Sequence, residues 1–144
     1  MATATAKMAS EASERNRQLV KGLYEAFMRG DIGTLLAGLD PRVVWIVPGP
    51  AEITLSGRRT GREEVSNFFQ MLNEYEEFQE FEVRQFVVEN ETVVALGYAR
   101  AKVKSTGKTS TSTFAHVFTI VGGKVSRFEE YFDTASSLVA YRPN

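Results

Sequence analysis

The chain has no cysteine and only one histidine among its 144 residues. The missing thiol excludes a disulfide framework and a cysteine nucleophile, and it suits a reducing cytoplasm, the expected compartment. Both scarcities argue against a zinc site, which draws on histidine and cysteine ligands. No metal and no cofactor is expected. Charge of one sign is also missing, since 17 Lys and Arg against 18 Asp and Glu leave a formal charge of −1. No net field therefore draws the protein to nucleic acid or to an anionic membrane. Arg58, Arg59 and Arg62 form too small a patch to change this. No apolar run approaches the length of a membrane span. Met1 to Ser13 is small and polar, lacks the apolar core of a secretory signal, and reads as a disordered leader over residues 1–13.

What is present is a hydrophobic fraction of 43%, enough for one core at the commonest domain size, so residues 14–144 are expected to form a single domain. From Glu14 to Arg29, Leu19, Val20, Leu23, Tyr24, Phe27 and Met28 recur at the spacing of one helical face. Gly30 stops that helix, and Asp31 caps a shorter one carrying Leu35, Leu36 and Leu39, which Asp40-Pro41 is expected to end. Val43 to Val47 reads as a strand with Trp45 on the same face as Val47. Glu52 to Ser56 suggests another brief strand. Thr60 and Glu63 have capping-box spacing ahead of a helix whose apolar stripe is Val65, Phe68, Phe69 and Leu72.

Beyond Glu77 the periodicity changes to that of strands, punctuated at Glu89-Asn90-Glu91, Ser105-Thr106-Gly107 and Gly122-Gly123. One face of the Thr92–Lys104 strand is Val93, Ala95, Gly97, Ala99 and Ala101. Such small side chains either let a helix approach closely or leave a void. From Phe114 to Val121 both faces are apolar, the mark of a strand covered on both sides. Across the Gly122-Gly123 turn, Phe128, Glu130 and Phe132 share a face, which sets a carboxylate between two aromatic rings. Helices followed by antiparallel strands indicate an α+β fold, a curved antiparallel sheet wrapped around the N-terminal helices.

Five strings carry a resemblance over about Asn16 to Tyr141: Leu23 to Asp31, Val43 to Gly49, Gly61 to Val65, Ala115 to Ile120, and Gly123 to Thr134. In this order and spacing the chain resembles the nuclear-transport-factor-two-like superfamily, in its SnoaL-like and ketosteroid-isomerase-related branch. The resemblance implies a cone-shaped, cystatin-like α+β barrel roll with an apolar pocket between concave sheet and helices. It also implies a homodimer through the outer sheet face, with Tyr98 and either Phe114 or His116 contributing. The ketosteroid isomerases' general base, tyrosine and protonated aspartate fall on Val47, Leu23 and Ala115, which carry no transferable proton. The last acid of the limonene epoxide hydrolases' triad matches Glu130, whereas its other two positions fall near Gly97 and Ala99. SnoaL-type cyclases need only an acid/base group in an apolar cavity.

These readings nominate Glu130 and His116 as catalytic candidates. Glu130 is expected to have its charged form disfavoured by desolvation, so that it can exchange a proton near neutrality. Placing the isomerase oxyanion position on Ala115 aims His116 at the opposite sheet face, away from Glu130. The expected pocket wall comprises Trp45, Tyr24 and Val47, then Phe68 and Phe69, and Thr113, Ala115, Phe128 and Phe132. The implied ligand is a small apolar molecule. Two functions follow: a cofactor-free proton-transfer enzyme of isomerase, cyclase or epoxide-opening type, or a non-catalytic binding module.

Overall fold

The apolar stripe of the first helix reaches the core only through its C-terminal half, where Val20, Leu23 and Ala26 are buried. A computed structural model describes residues 3–144 and starts this helix, α1 (Ala4–Met28), much earlier than the stripe itself. Residues 4–13 of the expected disordered leader are helical, and residues 1 and 2 lie outside the described residues. The reason is local. Ala, Met, Lys and Glu have high helix propensity, and an anchored helix extends without a new nucleation cost. Thr3 caps it by accepting from Ala6 N–H at 3.1 Å.

Asp31 caps α2 (Ile32–Ala37) as expected, accepting from Thr34 N–H at 3.1 Å. Asp40-Pro41 does not end that helix, because Gly38 does; Leu39 already belongs to β1 (Leu39–Val47). Proline is tolerated inside β1 because the pairing with its neighbour is interrupted between Leu39 and Val44. Glu52 to Ser56 is a turn rather than a strand, closed by Ser56 N–H donating to Ile53 O at 2.9 Å, and it buries Ile53 and Leu55. β2 (Gly57–Thr60) then pairs antiparallel with β1. The next helix, α3 (Arg62–Tyr75), is capped one residue later than the capping-box spacing suggests. Gly61 is the N-cap, with φ of 87°, and Glu64 rather than Glu63 reaches back to Thr60 N–H at 3.1 Å.

Four long strands complete the sheet: β3 (Glu76–Glu89), β4 (Thr92–Val103), β5 (Thr109–Val121) and β6 (Lys124–Phe132). The order is β2-β1-β6-β5-β4-β3, all antiparallel except the β1–β6 pair, which is parallel. Register shifts at Phe78/Glu80, Val83/Gln85 and Thr119/Ile120 interrupt the ladders, and such bulges bend a sheet. The helices α1 and α3 lie against the concave side, and α4 (Thr134–Tyr141), capped by Asp133, packs near β5.

The small-residue face of β4 leaves the expected void along part of its length, but the neighbouring strands rather than a helix approach it closely. At Gly97 a Cβ would collide with the Glu82 carbonyl oxygen and the Phe114 ring. Further along, Ala99 and Ala101 leave room and line a cavity.

Candidate functional site

A largely apolar cavity of about 150 Å³ lies between the concave sheet face and the helices. That is the scale of engineered apolar cavities that admit a benzene ring. Trp45 and Val47 enter it from β1, Phe68 and Phe69 from α3, and Phe128 and Phe132 from β6. The Trp45 and Phe128 rings stack with centroids 3.9 Å apart, because the parallel register sets those two residues side by side. The buried Trp45 Nε1–H has no hydrogen-bond partner. Tyr24, from α1, also lines the cavity.

Glu130 opens onto this space, its side chain 24% exposed. It is not alone there. His116 lies directly opposite it in the β5–β6 ladder, and residues opposed in an antiparallel pair share a face. His116 Nε2 and Glu130 Oε2 are 2.6 Å apart, and His116 Nδ1 and Tyr24 Oη are also 2.6 Å apart. The three side chains therefore form one hydrogen-bonded chain running from a helix, through a buried imidazole, to the carboxylate. Tyr24 O–H donating to Nδ1 and Nε2–H donating to Glu130 satisfies every member at once. Burial, and next the charge of Glu130, push the Tyr24 hydroxyl well above its usual range, so it is held as a phenol donor.

The expected separation of His116 from Glu130 is thus corrected: it rested on setting the isomerases' oxyanion position at Ala115, and Ala115 faces outward. Val121 opposes Lys124 and Ile120 opposes Val125, but Thr119 opposes Arg127, so Ser126 is the extra residue. That bulge sets the register in which His116 opposes Glu130. Ala115 instead opposes Leu96 and Tyr131 on the outer face, and Thr113 opposes Tyr98 there. Neither lines the cavity. Phe114 and His116 face inward, so they are not available to an outer-face contact. Glu130 is also no isolated acid among hydrocarbon, as the sequence implied, because the imidazole N–H holds one of its oxygens.

Among the cavity residues that the sequence reading did not nominate are Ile53, Leu55 and Glu76. Ile53 and Leu55 sit in the turn after β1, where their burial depends on the turn's path rather than on any periodicity. Glu76, in an acidic run that resembles a solvated link, is the first residue of β3 and pairs with buried Val103. It therefore points into the cavity, where Tyr141 O–H donates to its Oε2. Burial raises its carboxyl above the usual range and the charge of Glu130 adds to this, against the opposing pull of the Tyr141 bond. Among the described residues no three His, Asp or Glu side chains converge as metal ligands. Nor is any helix long and apolar enough to cross a membrane. Two arginines of the basic trio are used structurally: Arg62 donates to Leu39 O at 2.9 Å, and Arg59 lies 4.8 Å over the Phe68 ring.

Residues 20–128 match the family model described as SnoaL-like domain. An NTF2-like protein from Burkholderia xenovorans LB400 is 32% identical, with a TM-score of 0.82 over 90% of this chain and 98% of that one. Another, from Burkholderia pseudomallei K96243, is also 32% identical, with a TM-score of 0.81 over 88% of this chain and 97% of that one. TerC, crystallised with polyporic acid, is 25% identical, with a TM-score of 0.79 over 88% of this chain and 98% of its own. No curated protein matches the chain.

Proposed function

The chain belongs to the SnoaL-like domain family of the NTF2-like superfamily, and from that premise we propose a cofactor-free isomerase or cyclase acting on a small, largely apolar molecule. The observation that carries this reading is the Tyr24–His116–Glu130 chain ending at an apolar cavity. Glu130 Oε2 is held by His116, while Oε1 has no hydrogen-bond partner among the described residues. Oε1 is the atom that takes a proton from a ligand carbon beside a carbonyl. The C–H electron pair moves into the carbonyl and forms an enolate. Return of the same proton to a different carbon completes an isomerisation. Alternatively, the enolate carbon attacks a second carbonyl of the same molecule, and the proton goes to the new alkoxide to complete ring closure. Neither route needs an oxidant, a reductant or a metal, and His116 keeps its bond to Oε2 throughout. His116 and Tyr24 are positioning residues in this scheme, and Glu130 is the catalytic one.

The stacked Trp45 and Phe128 rings favour a planar ligand. The co-crystallisation of TerC with polyporic acid supports an organic small molecule as the occupant. The test is deuterium uptake from heavy water into a panel of planar aryl ketones, read by mass spectrometry. Wild-type protein is expected to label a ligand at the carbon beside its carbonyl, and the variant Glu130→Gln is expected to abolish labelling while keeping the wild-type near-ultraviolet circular dichroism. Equal labelling by both proteins removes Glu130 from the mechanism.

The second reading, a binding module, draws support from Leu23, Val47, Gly97, Ala99 and Ala115, which leave the relatives' catalytic positions empty of chemistry. A ligand that binds tightly yet stays unlabelled after long incubation selects it. Under either reading we propose a homodimer through the outer sheet face, which exposes Tyr131 beside Leu96 and Tyr98. A monomer by light scattering at micromolar concentration refutes that.

A further inference from the structure

We propose that Glu76 is the second functional carboxyl of the cavity, donating a proton or hydrogen bond to a ligand oxygen while Glu130 accepts a proton from ligand carbon. This rests on the reading of Glu130 as base and extends it to the oxygen of the carbonyl that acidifies the C–H. The two acids come from different strands, β3 and β6, and line the same apolar space. Neither has a Lys or Arg partner. Two carboxylates cannot both stay charged cheaply in such a space, so one keeps its proton.

The surroundings decide which one. Glu130 receives the imidazole N–H, whereas the half-buried Glu76 receives only the Tyr141 hydroxyl of α4. The direction of the Glu76 shift agrees, being upward from burial first and from the charge of Glu130 as well. Cations on neighbouring elements do not reverse this. Lys102 opposes Glu77, whose side chain points to the other face, and Lys104 Nζ donates to Asn73 O at the surface. Arg100 opposes Glu80 further along. Trp45, whose buried Nε1–H has no partner among the described residues, lines the same cavity from β1. A carboxyl whose surroundings favour the protonated form is the one suited to act as the acid.

The ligand class follows from the chemistry. It has a flat apolar body with, at one edge, a carbonyl or enol oxygen towards Glu76 and, on the carbon next to that carbonyl, an acidic C–H towards Glu130. In the balanced step the C–H proton goes to Glu130 Oε1, the electron pair passes to the oxygen, and Glu76 gives that oxygen its proton. Reversal at another carbon returns both protons.

The test is a carboxyl 13C NMR titration of full-length protein labelled at glutamate, with E76Q for assignment and E130Q as the perturbation. One resonance, absent from E76Q, is expected to titrate above the ordinary carboxyl range and to move down in E130Q, where the neighbouring charge is gone. Glu76 titrating in the ordinary range, or ignoring E130Q, overturns the pairing. This readout needs no turnover, so it stands apart from the labelling assay that judges Glu130. Binding of 2-acetylnaphthalene across the same pH range tests the ligand class. Wild-type affinity should fall about threefold to tenfold as Glu76 loses its proton. E76Q, whose amide still donates, should bind without that dependence, and Y141F should hold its affinity to higher pH. No binding at any pH, or a wild-type affinity indifferent to pH, overturns the ligand assignment.

Discussion

Removing one oxygen atom, by the substitution Tyr24→Phe, isolates the chain of bonds on which the site is built. The ring remains, so its edge-on packing against Phe118, with centroids 5.9 Å apart, is kept. What goes is the donor to His116 Nδ1, bonded at 2.6 Å. His116 is only 6% exposed, so water cannot easily replace the lost hydroxyl. Stranding a buried acceptor costs about 1–3 kcal/mol. For a chain of this length that lowers Tm by roughly 3–10 °C. Differential scanning calorimetry measures it directly. A Y24F/H116F double-mutant cycle should show a coupling of about 1 kcal/mol or more, since the phenol matters only while the imidazole is there. His116 is the only histidine of the chain, so its two ring 15N signals need no assignment by mutation. In Y24F the Nδ1 signal should move to an unbonded position while Nε2 keeps its proton. An unchanged Tm with additive cycle energies would refute the hydrogen-bonded chain.

Gly97→Ala should destabilise the fold by about 1–3 kcal/mol in urea denaturation, because the new methyl must displace the Glu82 carbonyl or the Phe114 ring. Stability should also carry a signature of Glu76. Its native carboxyl is raised above the unfolded value, so the folded state binds more protons between the two. Its contribution is complete below the unfolded value and is lost as pH rises through the native one. Chemical denaturation from pH 4 upward should show that loss in the wild type and a flatter profile in E76Q. Asp133→Ala should cost about 1 kcal/mol by removing the cap bonded to Ser136 N–H at 3.0 Å. It should also loosen the helix that presents Tyr141, so that 2-acetylnaphthalene affinity persists to higher pH, as in Y141F.

How much of this was legible depends on the scale of the signal. The inward face of Phe128, Glu130 and Phe132 follows from alternation alone, and so does the central place of β5, apolar on both sides. The Asp31 and Asp133 caps needed only the residue type and its distance from the first apolar position. The partner of Glu130 was hidden because a family position set at Ala115 lies one residue from His116, and an offset of one residue reverses the facing. Val125 and Phe128 are both buried although they are an odd number of residues apart, a spacing that strict alternation forbids and that marks the bulge. Glu76 was hidden differently: α3 runs into β3 without a loop, so an acidic pair that looks solvated is split, one carboxyl inward and one outward. Relatives' catalytic positions misled in proportion to their precision, since a match offset by one residue is harmless for a fold and fatal for a side chain.

The parallel seam between β1 and β6 has a consequence for how the protein is made. Trp45 and Phe128 are separated by more than half the chain, yet they lie side by side. Synthesis proceeds from the N-terminus, so β1 waits beside an unfilled gap while most of the polypeptide is still being assembled. Contacts of such long range slow the closing step. A product that stops before Lys124 would end as an open strand edge prone to association rather than as a vessel for a ligand.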